Sequence, residues 1–332
     1  MFLCRHHLTQ RVASLDLSIA NLSTAELEVL LRAFSVSTTS DCQTVRRTLN
    51  IRKSSLAEIS LTPRELAEVV VNQLDELNMS GTSPSEEQVT AVLRQILTTT
   101  SGRLTSLTIG CNLSLAQVEP ALLARAVTRL SQVNLSGCGL SCHQVEAVLE
   151  QITGVGGSDR LEVLSLGNND LSQVDSSLLG RALCRLNKAQ IWSCKLNQHQ
   201  LREIFRIIVR TEDRRLLHLD LEGNDVHQVY PETLGRAVCS LRSVDLHNCK
   251  LTLAQVDFIF NQLAEIPPPE RSLRSITLTD RQSVNYKDNQ SLNLNLDILR
   301  GERMFRITKR FLQFHGLNDI KHRRLEDIRR IF

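Results

Sequence analysis

Few residues in this chain have types and spacings that could support catalysis or metal binding. His6 and His7 could begin a metal site, but no third ligand stands at helical or turn spacing from them. Residues 153–159 have the glycine content of a phosphate loop but lack its Lys-Ser/Thr pair. The nine cysteines include no C-x-x-C pair, and neither G-x-S-x-G nor H-E-x-x-H occurs. We therefore expect no enzyme activity, no metal, no cofactor and no small-molecule substrate.

A second group of residues has the types found in protein-binding surfaces. The only tryptophan lies close in the chain to several charged and polar residues, namely Lys188, Gln190, Trp192, His218, Asp220, Glu222, Ser243, Asp245 and His247. Tryptophan is enriched in binding hot spots, and carboxylates can meet basic residues of a partner. The alternative is that Trp192 folds over a neighbouring strand and the charges are solvated. The two interpretations depend on the elements that position these side chains.

Those elements belong to an internal repeat. Ten short L-x-L strand patterns recur, and their first apolar residues are Leu15, Leu49, Leu77, Leu107, Val133, Leu164, Ala189, Leu219, Val244 and Ile276. From Leu107 onward, a spacing of 25 or 26 residues alternates with a spacing of 30 to 32. The true repeat is therefore a pair of units of about 56 residues.

The repeat carries a known signature, L-x-L-x-x-N/C-x-L. The N/C position holds Asn169 and Asn224 in short units, with Asn112 close to it, whereas long units have Cys138, Cys194 and Cys249 there. This alternation resembles the ribonuclease-inhibitor-like class of leucine-rich repeat proteins, found also in the C-terminal arms of NOD-like receptors. The resemblance covers about residues 12–280. It implies an α/β leucine-rich repeat solenoid, a horseshoe with a parallel concave sheet and convex helices, and it implies protein ligands.

Local patterns agree with this fold class. In a three-residue strand, the L positions point into the interior and the residue between them points out. The Asn or Cys that follows sits in a turn, where a buried side chain can bond backbone groups, so we expect these positions to be structural. Capping boxes predict the helix starts at Ser23, Thr62, Ser85, Ser141 and Thr252. The residues around each L-x-L should then face outward on the concave sheet.

The end of the chain differs from the repeat region. We expect the solenoid, with about ten repeats, to cover residues 1–280, and residues 281–332 to form a basic, partly helical cap or tail. This tail has 12 basic and 6 acidic residues, against 27 and 30 in residues 1–280. Leu317, Ile320, Ile328 and Ile331 fall at approximate helical spacing. Residues 298–332 could cap the solenoid, dock on a partner, or bind nucleic acid or an anionic membrane.

The function class that follows is binding. We predict a non-enzymatic protein-interaction module that holds a protein ligand on its concave face. A small-GTPase regulator of the leucine-rich repeat class is one alternative, and an adaptor tethered to RNA or membrane by its basic tail is another. The N-terminus lacks the apolar run of a secretory signal, and no stretch reaches the roughly 18 apolar residues of a membrane-spanning helix. We therefore expect a cytoplasmic protein.

Overall fold

A computed structural model describes residues 14–16, 23–35, 47–154, 160–265, 272–279 and 291–295. The residues group into two compact units, Met1–Val174 and Asp175–Phe332, and the sequence repeat does not predict this division. Most of residues 281–332, including the predicted helical segment 298–332, lies outside the described residues. The predicted division of the chain at residue 280 therefore stays a prediction.

The first unit contains a parallel sheet in chain order. Its strands are β1 (Ser14–Asp16), β2 (Thr48–Asn50), β3 (Glu76–Asn78), β4 (Ser106–Thr108), β5 (Gln132–Asn134) and β6 (Val163–Ser165). The apolar residue at the centre of each strand is the Cα partner of the next, in the order Leu15, Leu49, Leu77, Leu107, Val133 and Leu164. The predicted repeat positions are thus confirmed for this unit, but each strand begins one residue before its L-x-L pattern, so the first apolar residue lies second in the strand. From β2 onward these centres are buried.

The second unit continues the same pattern and ends differently. Its parallel strands are β7 (Lys188–Gln190), β8 (His218–Asp220), β9 (Ser243–Leu246) and β10 (Ser275–Thr279). The predicted residues Ala189, Leu219, Val244 and Ile276 are again Cα partners, and each is the second residue of its strand. A further strand, β11 (Ser291–Asn295), pairs antiparallel with β10. The L-x-L repeat does not predict β11, which lies in the segment 281–332 that was expected to be partly helical.

Each unit pairs its strands with helices. The helices of the first unit are α1 (Thr24–Ser35), α2 (Pro63–Gln73), α3 (Glu86–Thr98), α4 (Pro120–Val127) and α5 (Cys142–Thr153). Those of the second unit are α6 (Ser176–Arg185), α7 (Gln198–Arg210), α8 (Pro231–Ser240) and α9 (Leu253–Glu265). A buried aliphatic face on each helix packs toward the strand centres, because apolar residues recur at helical spacing. This alternation of strand and helix is the predicted leucine-rich repeat fold.

The helix starts carry the predicted capping boxes. Reciprocal bonds between the cap and the third helical residue are present at Ser23, Thr62, Ser85, Ser141 and Thr252. Asn197 forms one more box with Gln200, which the sequence analysis missed. Where the third residue is glutamine, its side chain is buried. Gln144, for example, donates from Nε2 to the carbonyls of Leu115 and Val118 in the preceding repeat, at 2.8 and 2.7 Å. Glutamine therefore joins adjacent repeats as well as capping a helix.

Two glycines allow neighbouring helices of the second unit to approach closely. A Cβ atom at Gly180 in α6 would lie 2.6 Å from Cδ1 of Ile207 in α7. A Cβ atom at Gly235 in α8 would lie 2.4 Å from Cδ1 of Phe258 in α9. Both distances are shorter than van der Waals contact, so any larger residue would push the helices or side chains apart.

Candidate functional site

The second unit presents two rows of outward side chains on its sheet. Because side chains alternate along a strand, the residues flanking each buried centre share one face, which we call the outer sheet face. The first row is Lys188, His218, Ser243 and Ser275, and the second row is Gln190, Asp220, Asp245 and Thr277. Lys188 is exposed, and the other seven are half-buried. Parallel pairing therefore brings residues from four distant chain segments side by side.

A pocket of about 690 Å³ lies over these rows. Its lining consists of Lys188, Gln190, His218, Leu219, Asp220, Ser243, Asp245, Arg274, Ser275 and Thr277. The structure thus brings together six of the nine residues that the sequence places on this surface. Arg274, Ser275 and Thr277 were not predicted to lie here, although the L-x-L rule applied to Ile276 would have placed Ser275 and Thr277 on this face.

The other three predicted residues do not line the pocket. Trp192, Glu222 and His247 occupy equivalent positions in the turns that follow β7, β8 and β9. Glu222 is exposed, whereas Trp192 and His247 are half-buried. Among the described residues, Nδ1 of His247 is buried and has no hydrogen-bond partner. Side-chain alternation along each strand predicts that they extend the outer sheet face beyond the pocket.

Negative charge accumulates on one side of the pocket. Burial raises the pKa of Asp220, and the neighbouring carboxylate of Asp245 raises it further, although bonds from the Glu222 backbone and the Gln190 amide oppose this. Burial also raises the pKa of Glu222, again with contributions from Asp245 and Asp220. Within the described part of the chain, none of these three carboxylates forms an ion pair. The folded protein therefore holds like charges together without an ion pair, and the charges of Lys188 and His247 offset them only in part.

Positive charge lies on the other side. Burial lowers the pKa of His218, and the nearby cations Lys188 and Arg242 lower it further. Arg242 is exposed and immediately precedes β9, and Arg274 lines the pocket one residue before β10. Basic groups thus lie toward the start of the strands and acidic groups toward their ends. The pocket can accordingly form polar and charged contacts, and it offers both signs of charge.

The acidic residues also have a structural role, which the first unit fills without charge. Oδ1 of Asp220 accepts a bond from the backbone N–H of Glu222 at 3.1 Å, and Oδ1 of Asp245 accepts one from His247 at 2.8 Å. At the matching strand position of the first unit, the same bond to the residue two further on is accepted by Asn50, Asn78 and Asn134. An amide oxygen is therefore sufficient for this turn.

The asparagines at the N/C positions are buried and join consecutive repeats. Nδ2 of Asn169 donates to the carbonyls of Leu166 in its own repeat and Leu135 in the preceding one, at 2.8 and 3.0 Å. Its Oδ1 accepts from the backbone N–H of Leu140 at 3.1 Å. The same kinds of bond are made by Asn112 and Asn224. Asn112 therefore occupies the N/C position itself, where the sequence analysis placed it only nearby.

The cysteines at the N/C positions are also buried, but they donate only weakly. The thiol of Cys249 donates to the carbonyl of Leu221 in the preceding repeat at 3.1 Å, and that of Cys138 donates to Ile109 at 3.5 Å. Cys194, equally buried, donates to the carbonyl of Trp192 at 3.5 Å. Burial raises the pKa of Cys138 to about 11, and it raises that of Cys249 as well. These thiols are therefore poor nucleophiles and poor metal ligands at neutral pH.

The described residues offer little for other kinds of site. No three His, Cys, Asp or Glu side chains in the described segments are close enough together to hold a metal ion. His6 and His7 lie outside those segments. The helices that the structure describes include none with the length and apolar character needed to cross a bilayer.

Comparison with known proteins supports the repeat assignment. No family model matches the chain. It is 27% identical over 203 residues to NACHT, LRR and PYD domains-containing protein 5 from Bos taurus, a match that covers 57% of this chain and 17% of that relative's length. It is also similar to the solved structure of the leucine-rich repeat-containing protein LegL7 from Legionella pneumophila, at 14% identity and a TM-score of 0.47, covering 92% of this chain and 99% of the other. The alternating N/C signature, the ladder of buried strand centres and the curated relative fit a leucine-rich repeat protein of the ribonuclease-inhibitor-like class.

Proposed function

We propose that this chain is a non-enzymatic protein-interaction module and that the outer sheet face of the second unit binds a protein ligand. The observation that carries the proposal is the pocket of about 690 Å³, which collects polar and charged side chains from β7, β8, β9 and the residues at β10. Similarity to a leucine-rich repeat protein supports an interaction role in general. The surface residues that we propose are those predicted from the sequence, joined by Arg274, Ser275 and Thr277.

The chemistry of the face suits a binding role better than catalysis. His218 has cationic neighbours that disfavour its protonated form, and its strand neighbours in the same row are Lys188 and Ser243. A charged histidine would be needed for a general acid, and a serine nucleophile would need an adjacent base held by a third group. The described residues of the pocket show no such chain of bonds. Mixed charge with a nearby tryptophan is instead typical of protein interfaces.

We further propose that the protein acts in the cytoplasm. All seven cysteines in the described segments are free thiols, and five of them are buried. Free thiols persist in reducing compartments. The alternatives of a small-GTPase regulator and of a tail-tethered adaptor gain no support from any described residue, and the tail segment 298–332 lies outside the description.

Affinity capture from cytosol followed by quantitative mass spectrometry tests the proposed surface. Lys188→Ala combined with His218→Ala should lose proteins that the parent chain retains. The matched control is Arg64→Ala combined with Glu68→Ala, which removes an exposed ion pair on α2. Trp192→Ala is a second test. It should weaken partner binding by about 2 kcal/mol, the usual effect of truncating a hot-spot anchor. Equal losses with the face variants and the α2 control would refute the assignment of the face.

A further inference from the structure

The pocket on the second unit has a direction of charge along its strands. Lys188 stands in the first row, Arg242 precedes Ser243 of the same row, and Arg274 lies in the lining. Asp220 and Asp245 stand one row further, and residues two apart on a strand are separated by about 6 to 7 Å. A ligand that spans both rows therefore meets positive charge at one end of the pocket and a pair of carboxylates at the other.

The charge of the carboxylate pair is not needed by the fold. Asn78 and Asn134 accept the same turn bond in the first unit with a neutral amide. At Asp220 and Asp245 the extra negative charge is half-buried, is adjacent to a second carboxylate, and has no ion-pair partner among the described residues. Half-buried like charges side by side destabilise the folded state. The pair is thus poised to gain free energy when a cation replaces the water around it.

We propose that this pocket is the docking site for an extended segment of a protein partner that presents a basic side chain to Asp220 and Asp245 and an acidic group toward Lys188. This proposal rests on the proposed function and specifies its ligand. A volume of about 690 Å³ falls in the range of sites that enclose a small ligand, so several side chains of one segment fit. Nucleic acid does not fit, because its phosphates would face the carboxylate pair. A uniformly basic segment does not fit either, because it would face Lys188 and Arg242.

Replacing the two aspartates by asparagine separates the effect of their charge on binding from any effect on folding. Asp220→Asn with Asp245→Asn removes both charges and keeps the turn bonds that asparagine makes in the first unit. Glu162→Gln is the matched control, because Glu162 is an exposed carboxylate next to β6 and lies outside the pocket lining. The probe is a random peptide library displayed on phage and selected on the intact chain. Selected peptides are then synthesised, and their affinity is measured for each variant.

We expect selected peptides to carry an Arg or Lys and an Asp or Glu. The double asparagine variant should weaken their binding by about tenfold or more without a lower melting temperature, and Glu162→Gln should leave it within about twofold. Lys188→Met should remove the preference for the acidic residue. Replacing the basic residue of the peptide by alanine should abolish the difference between the parent and the double variant.

Other results would overturn the proposal in distinguishable ways. Peptides without a basic residue, whose binding is lost with His218→Ala but not with the double asparagine variant, would refute the charge assignment and leave the proposed function standing. Peptides that bind every variant of the face equally would refute both. Selected sequences that match the chain's own residues 298–332 would assign the pocket to an internal segment and refute a separate partner.

Discussion

Replacing Gln144 by glutamate tests the bond that joins a helix start to the preceding repeat. Gln144 is 1% exposed, and its Oε1 accepts from the backbone N–H of Ser141 at 3.0 Å. Glutamate can keep that bond, as Glu65 does for Thr62 at 2.8 Å. Its second oxygen, however, would face the carbonyls of Leu115 and Val118, where the amide now donates two bonds. The variant Gln144→Glu therefore changes one atom and reverses the electrostatics of the contact.

The expected cost follows from these contacts. Each buried carbonyl that loses its donor costs about 1 to 3 kcal/mol. Burying a carboxylate without a cation adds to this, so we expect a loss of about 3 to 5 kcal/mol in the free energy of unfolding. A carboxyl group in this position would have a raised pKa, and its penalty would be relieved by protonation. The difference from the parent should therefore be smaller at about pH 5 than at about pH 8.

Urea denaturation followed by circular dichroism measures the effect. Glu65→Gln in α2 is the matched control, because it makes the reverse exchange at the same capping position on an exposed side chain. It should change stability by no more than about 0.5 kcal/mol. Equal effects of the two substitutions, or a loss below about 1 kcal/mol for Gln144→Glu, would show that the contact between repeats contributes little.

Three further predictions concern other features of the chain. At about pH 8, the exposed Cys111 should react with a thiol reagent before the buried Cys138 and Cys249. Burial raises the pKa of Cys138 to about 11, which leaves roughly a hundredfold less thiolate than in a thiol of ordinary pKa, and it raises the pKa of Cys249 as well. Equal labelling rates in mass spectrometry of the peptides would contradict this burial. Gly223→Ala should lower the free energy of unfolding by about 1 to 2 kcal/mol, because residue 223 has a φ of +73° and the added Cβ would lie 2.6 Å from Oγ of Ser193. Asn168→Gly, at the equivalent position of another turn, should not destabilise the protein. Burial raises the pKa of Asp220, so the parent protein loses stability as the pH rises through the pKa of the folded state. The variant Asp220→Asn should therefore melt at a higher temperature than the parent near neutral pH, and a difference in melting temperature that does not shrink toward about pH 4 would contradict this.

The strand positions could be predicted because one local rule governs all of them. An apolar residue on each side of an outward residue, followed by Asn or Cys, places Leu107 or Val244 in a strand without any knowledge of its neighbours. The outward positions follow from the same period of two. Strand β11 does not follow this rule, because it pairs antiparallel with β10 and has no turn signature after it.

The pocket and the buried glutamines could not be predicted in the same way. The pocket depends on which side chains stand beside each other across β7 to β10, and Trp192 falls outside it because it lies past the end of its strand. The capping-box pattern treats Glu and Gln as equivalent. Only the position of the preceding repeat shows that Gln144 must donate and that Glu65 need not.

The alternation of Asn and Cys determines how such an array can lengthen. The backbone N–H groups of Leu140 and Leu196, each two residues after a cysteine, donate to the asparagine side chain of the next unit. The equivalent N–H of Val226, two residues after an asparagine, donates instead to the backbone carbonyl of Cys249. A copied cysteine unit placed after another cysteine unit would leave a buried amide without that acceptor. Duplication of a pair avoids this, so growth in steps of two units is the route that preserves every bond between repeats.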